Sequence, residues 1–198
     1  ARLAVQWTLR EHGGSDYRGY AGRVAGGVLR VGDEIMVLPS GLTSTITGID
    51  SPSGPIQEAT PGQAVTVLLA DDLSITRGDM ICRPNNRPRV SQELEAMLCW
   101  MDDAAPMQPG KIYTIKHTSK VARTKITEVL YRLNISTLSH ETGVNQLAMN
   151  EIGRVTLHTT APLMFDDYHQ NRTTGCFIIV DEATGQTAGA GMLLSPRT

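Results

Sequence analysis

The 198-residue chain contains no G-x-x-x-x-G-K-[ST] stretch, so it has no loop of backbone N–H groups built to cradle nucleotide phosphates. It also lacks a G-x-S-x-G nucleophile turn and an H-E-x-x-H metal pair. Aromatic residues make up only 5%, which leaves Val, Ile, Leu, Met and Ala to build the core. There is no excess of positive charge: 18 Lys and Arg stand against 20 Asp and Glu, a net charge of -2. A general nucleic-acid binder needs such an excess to neutralise phosphates. No apolar run is long enough to span a bilayer, and no signal-peptide pattern opens the chain. The three cysteines, Cys82, Cys99 and Cys176, are odd in number, far apart and never in a C-x-x-C pair. That pattern fits buried free thiols in a reducing, cytoplasmic compartment.

What is present is strand pattern and turn chemistry. Leu3, Val5, Trp7 and Leu9 alternate with Ala4, Gln6, Thr8 and Arg10, the period of a half-buried strand. Glu11 to Asp16 reads as a polar loop. Arg18 to Pro39, RGYAGRVAGGVLRVGDEIMVLP, carries Gly22, Gly26 and Gly27 in a strand-like run, then turns at Val31-Gly32-Asp33-Glu34 into Ile35 to Leu38. Glycine inside a strand marks a bulge or a barrel corner, so this stretch is expected to be a sharply bent antiparallel hairpin. Strands follow at Leu42 to Asp50, Ala64 to Leu69 and Met80 to Arg83, with Ser51 to Pro55 expected as a loop. Pro84-Asn85-Asn86-Arg87-Pro88 suits neither helix nor ladder, and a domain boundary is expected there, between residues 1–86 and 89–195.

The second half repeats the style. Gln92 to Met97 favours helix by propensity, yet Leu94, Ala96, Leu98 and Trp100 alternate, and a strand is expected. Further strands are expected at Lys111 to Lys116, at Ala122 to Leu133 with Lys125, Thr127, Val129 and Tyr131 on one face, at Ile152 to Thr160 ending at Ala161-Pro162, at Cys176 to Val180 and at Thr187 to Leu194. Ser136 to Gly143 and Asp166 to Thr174 read as loops. Many short strands punctuated by Gly and Pro turns make the chain all-β, two consecutive antiparallel β-barrels.

Candidate chemistry is sparse. The histidines, His12, His117, His140, His158 and His169, have no metal-ligand spacing. The acidic pairs Asp71-Asp72, Asp102-Asp103 and Asp166-Asp167 could do acid–base work, but in loops they suit bonds to nearby backbone N–H groups. Arg77-Gly78-Asp79 reads as a tight turn. Lys111 to Lys125, KIYTIKHTSKVARTK, is either a solvated face or a docking patch for an anionic partner.

Certain words in the chain carry a resemblance. Arg18-Gly19-Tyr20-Ala21-Gly22, Val31-Gly32-Asp33-Glu34, Pro61-Gly62-Gln63-Ala64-Val65 and Arg77-Gly78-Asp79-Met80 resemble the second domain of translation-factor-type GTPases. Asn150 to Val155, Phe165-Asp166-Asp167-Tyr168, Asn171 to Ile178 and Thr187 to Met192 narrow this to the GTP-binding large subunit of bacterial ATP sulfurylase, sulfate adenylyltransferase subunit 1, from about Arg2 to Leu194. The chain departs from that pattern at Ala4, where a proline is expected, and in its polar loop at Glu11 to Ser15.

The resemblance implies barrels like domains II and III of elongation-factor-like GTPases. It implies a role in sulfate assimilation, where a small catalytic subunit makes adenylylsulfate and pyrophosphate from ATP and sulfate, driven by GTP hydrolysis. GTP and magnesium belong to an N-terminal G domain that this stretch does not contain. Catalytic, cofactor and metal residues are accordingly expected to be none, and the stretch alone inactive. The implied partners are that G domain, the small catalytic subunit and a fused adenylylsulfate kinase domain, for which Ser195-Pro196-Arg197-Thr198 fits the start of a linker. Asn171 and Arg172, in a polar loop between ordered runs, are the candidate partner contacts, the alternative being that Arg172 pairs locally with Asp166 or Asp167. An RNA- or tRNA-binding barrel pair is the competing class, opposed by the net charge and the scarce aromatics.

Overall fold

The structure, a computed structural model, describes residues 1–10 and 17–195. The loop expected at Glu11 to Asp16 and the linker at residues 196–198 lie outside the described residues. The chain divides into two compact units, Ala1–Pro88 and Arg89–Thr198. No helix occurs among the described residues, so none is long and apolar enough to cross a membrane.

The first unit contains β1 (Arg2–Arg10), β2 (Arg18–Gly26), β3 (Leu29–Arg30), β4 (Glu34–Leu38), β5 (Leu42–Ser51), β6 (Gly54–Ile56), β7 (Glu58–Ala59), β8 (Ala64–Leu69) and β9 (Met80–Cys82). Its sheet runs β4-β9-β1-β2-β8-β5-β6, and an additional β4–β5 pairing closes six of these strands into a barrel. Leu3, Val5, Tyr20, Ile35, Val37, Ile46, Val67 and Ile81 fill the interior. Each such side chain contributes about 1.5–3 kcal/mol by leaving water.

The second unit contains β10 (Arg89–Trp100), β11 (Ile112–His117), β12 (Lys120–Leu133), β13 (His140–Glu141), β14 (Ile152–Phe165), β15 (Cys176–Val180) and β16 (Thr187–Leu194). Its order is β11-β15-β16-β10-β14-β12-β13, closed by β11–β12. Leu98, Trp100, Tyr113, Ile115, Ile126, Leu157, Phe177 and Ile179 form its core. The Trp100 and Tyr113 rings meet edge to face at 5.5 Å, and Trp100 Nε1–H donates to the Ala105 carbonyl at 2.8 Å, which removes the cost of burying the indole donor.

The all-β, two-barrel architecture agrees with the strand pattern, and β10 is a strand despite its helix formers. Several local expectations do not hold. β2 and β4 are not a hairpin: β9 and β1 stand between them in the sheet. Gly22 does mark a bulge, because the β1–β2 register shifts between Val5 and Trp7, and a Cβ at Gly22 would lie 2.4 Å from the Ala4 carbonyl oxygen. That same shift turns the end of β1 outward, leaving Trp7 65% exposed where the alternation predicted burial. Ser51 to Pro55 is a tight β5–β6 hairpin, with Ser51 opposite Gly54. Part of the Ser136–Gly143 loop forms β13, paired with the end of β12.

Two further differences come from bulges in the second barrel. β12 shifts register between Ile126 and Glu128, so Lys125 and Thr127 face solvent while Val129 turns into the core. β14 continues through Pro162 to Phe165. The β10–β14 register jumps between Ser91 and Glu93, and Pro162 sits inside that irregularity, where no ladder N–H is required of it. Arg77-Gly78-Asp79 is the expected tight turn, with Gly78 at φ 96° and the Thr76 N–H donating to Asp79 Oδ2 at 2.8 Å.

The two tryptophans should therefore behave oppositely. Trp100→Ala is expected to destabilise the protein by about 3–5 kcal/mol, and Trp7→Ala to change stability by no more than about 0.5 kcal/mol, measured by urea unfolding followed by far-ultraviolet circular dichroism. Equal losses would contradict the burial assigned to β1.

Candidate functional site

The loop joining β14 to β15 is built almost entirely from its own short polar side chains. Asp167 Oδ1 accepts the His169 N–H at 2.9 Å and Asp167 Oδ2 the Ser195 N–H at 2.8 Å. Asn171 Oδ1 accepts the Thr173 and Thr174 N–H groups at 3.0 and 3.2 Å, and the Asn171 carbonyl accepts the Gly175 N–H at 2.8 Å. Thr174 is fully buried, and its hydroxyl donates to Asp166 Oδ2 at 2.7 Å. Beneath it, at the end of β11, His117 Nε2 lies 2.7 Å from the Thr174 carbonyl. A carbonyl only accepts, so Nε2 carries the proton. The chain His117–Thr174–Asp166 pins the loop to the barrel.

Both candidate contacts lie here. Asn171 spends its side-chain oxygen on the loop, as an Asx-type turn residue does. Arg172 is exposed, and its guanidinium lies 6.0 Å from the centre of the Tyr168 ring, a cation–π contact. Among the described residues Arg172 makes no ion pair with Asp166 or Asp167, the local alternative considered for it.

The titratable groups of the loop follow from this geometry. Burial pushes the His117 imidazole below its ordinary value, and the Thr174 bond and the nearby Asp166 charge only partly oppose that. Burial alone would raise the Asp167 carboxyl, but the Ser195 and His169 N–H groups and the His169 ring together hold it below the usual carboxylate range. His117 was not singled out among the five histidines. The available signal was its place on the inward period of Tyr113, Ile115 and His117.

Beside the loop an open groove of ≈ 620 Å³ lies over β15 and β16, lined in part by Lys116, Tyr168, Cys176, Ile178, Ala190 and Met192. In the first unit a more polar cleft of ≈ 440 Å³ is lined by Tyr17, Arg18, Tyr20, Asp71 and Asp72. Its carboxylates are occupied: Ser44 Oγ donates to Asp71 at 2.8 Å, and Arg18 is ion-paired with Asp72. Asp102 Oδ1 accepts the Ala104 N–H at 2.9 Å. Each acidic pair thus has a structural partner.

The basic stretch is divided. Lys111 Nζ donates to Asp181 at 2.7 Å, a bond that holds the Asp181 carboxyl low and the ammonium high, and Arg123 pairs with Glu182 at 3.0 Å. Lys116 and Lys125 are exposed. Among the described residues no group of three or more His, Cys, Asp or Glu could hold a metal ion.

Residues 93–194, just over half the chain, match the family described as GTP-eEF1A C-terminal domain-like, and residues 20–82 match elongation factor Tu domain 2. The chain is 49% identical over 195 residues to the bifunctional enzyme CysN/CysC of Mycobacterium tuberculosis, covering 98% of this chain and 32% of that protein. It is 42% identical to sulfate adenylyltransferase subunit 1 of Aeromonas hydrophila and 40% identical to that of Bacteroides fragilis, in each case over 98% of this chain and 40% of the relative. The chain therefore spans 29–41% of the length of the curated relatives it matches. The similarity that the sequence motifs point to extends over nearly all of it. A solved structure of sup35 complexed with GDP superposes with a TM-score of 0.87 at 15% identity, covering 100% of this chain and 47% of that one, a likeness of fold.

The buried His117 makes stability depend on pH in a definite direction. Its folded value lies below the unfolded value of about 6.5, so at acid pH the unfolded chain binds a proton that the folded chain refuses. Stability is full above about pH 6.5 and falls as pH drops below it. Calorimetry should show the melting temperature of the second unit declining over that window. His117→Gln should melt lower at pH 7 but lose this component of the pH slope; an unchanged slope in the variant would contradict the assignment.

Proposed function

The chain belongs to the GTP-eEF1A C-terminal domain-like family, and from that footing we propose that it forms the two-barrel, non-catalytic part of the GTPase subunit of a sulfate adenylyltransferase. The observation that carries this reading is the 40–49% identity to sulfate adenylyltransferase subunit 1 and CysN/CysC proteins across 98% of the chain. In this proposal GTP and magnesium are held by a separate G domain, and adenylylsulfate is formed in a separate catalytic subunit. The bifunctional relatives, at 39–49% identity, overlap the subunit 1 relatives, at 38–42%, so a kinase domain fused in the parent is tested by the mass of the native protein.

The physical role follows from linkage. A GTPase drives another reaction only if its nucleotide states differ in their contacts with a partner. Closed barrels supply a rigid surface against which switch segments order or release. The barrels are assigned two tasks: supporting the G domain and docking the catalytic subunit. Arg172 is proposed as a contact in the second task because it is exposed, cationic and held over Tyr168 on a loop pinned from beneath.

Two measurements test this. The purified chain should neither hydrolyse GTP nor form adenylylsulfate from ATP and sulfate, and either activity in it would overturn the non-catalytic reading. In the full-length protein, Arg172→Ala should weaken binding of the catalytic subunit about tenfold, roughly 1.4 kcal/mol, by titration calorimetry. Unchanged affinity would remove Arg172 from the interface. Asn171→Ala is the poorer probe, since it also releases the Thr173 and Thr174 N–H groups.

A further inference from the structure

We propose that the groove over the outer face of β15 and β16 docks an acidic protein segment anchored by an apolar side chain, supplied by the catalytic subunit. This rests on the docking reading above and adds the place and the chemistry.

The interior faces of these strands are accounted for by Phe177, Ile179 and Leu193, all buried. The opposite faces of a solvated barrel are ordinarily polar. Here they are not. Cross-strand pairing puts Lys116 beside Ile178 and Ile178 beside Ala190, and the next row sets Cys176 beside Met192 and Met192 beside Met97. Cys176 and Met192 are exposed, and Ile178, Ala190 and Met97 are half-buried. The floor of the ≈ 620 Å³ groove is therefore aliphatic and sulfur-rich. Thioether and thiol side chains are polarisable and re-pack readily, which suits a floor that receives an apolar side chain from outside.

Charge decides the kind of occupant. Lys116 is the one charged residue among those lining the groove; it is exposed and has no carboxylate partner among the described residues. At the rim the Arg172 guanidinium stands over Tyr168, itself part of the lining. The carboxylates of the adjoining loop, Asp166 and Asp167, bond Thr174 and the backbone N–H groups of His169 and Ser195. An apolar floor with a cationic rim and no lining carboxylate complements a hydrophobic anchor flanked by Asp or Glu. Single-stranded nucleic acid would need a stacking platform and a run of cations, and the groove offers one half-buried tyrosine and one lysine.

Cys176 is a native reporter of this face, and the buried Cys82 is its internal control. In the full-length protein iodoacetamide should alkylate Cys176 readily. In the complex with the catalytic subunit the rate at Cys176, read by mass spectrometry, should fall at least about tenfold. Lys116→Glu, a surface change, should weaken the complex about tenfold at low salt, and Met192→Glu likewise. A complex that forms while Cys176 reacts at its free rate overturns the groove and leaves the docking reading standing. Cys176 inert in the free full-length protein also overturns it, because another part of the chain then covers the face. Protection with Lys116→Glu binding as tightly as the parent overturns the acidic occupant. No complex under any condition overturns the docking reading and this proposal together.

Discussion

Closure of the hydrogen-bond ladder is the constraint on which both units depend. With no helix among the described residues and few aromatic residues, the chain satisfies its backbone mainly through strands, and each sheet here returns to its starting strand, through β4–β5 in the first unit and β11–β12 in the second. The six-stranded rings enclose interiors filled by aliphatic residues, with Trp100, Tyr113 and Phe177 adding bulk in the second. Closure also dictates where the chain must deviate from regularity. A closed ring of twisted strands needs local bends, and these occur as the register shifts in β1, β12 and β14.

Those shifts explain what could and could not be read from the residues. Strand existence was legible wherever apolar residues alternate between turn residues, even in β10, where Glu, Leu and Met propensities point to helix and the paired neighbours β14 and β16 overrule them. Facing was legible only up to the first bulge. The shift in β12 moves Val129 off the face of Lys125 and Thr127 and into the core, and after the shift in β1 the whole stretch Gln6 to Arg10, Trp7 included, is exposed. Pro162 misled for a related reason: proline ends a regular ladder but is tolerated in an irregular one. Pairing was the least legible. Arg18 to Pro39 has the composition of a hairpin, but β2 pairs with β1 and β8 and β4 with β5 and β9, so the turn at Val31 to Glu34 joins two strands that do not pair, which local pattern does not encode.

The candidate site shows the same division. The composition of Asp166 to Thr174 marked a loop, and Asn171 and Arg172 stood out in it. Their different roles emerge only in three dimensions, where Asn171 shapes the turn and Arg172 is presented over Tyr168. His117 was hidden because its partner, the Thr174 carbonyl, is backbone and 57 residues away. The groove was invisible as well, since Cys176, Ile178, Ala190 and Met192 read simply as parts of apolar strands until closure assigns one face of each to the interior.

The pinning of the β14–β15 loop has a kinetic corollary. A loop already fixed by Asp167, Asn171 and the His117–Thr174–Asp166 chain loses little conformational freedom when a second protein touches it. Encounter with such a surface is a collision of preformed shapes, with a rate on the order of 10⁵–10⁷ M⁻¹s⁻¹. Residence time then becomes the quantity that substitutions on this face adjust, leaving the speed of recognition to diffusion and charge.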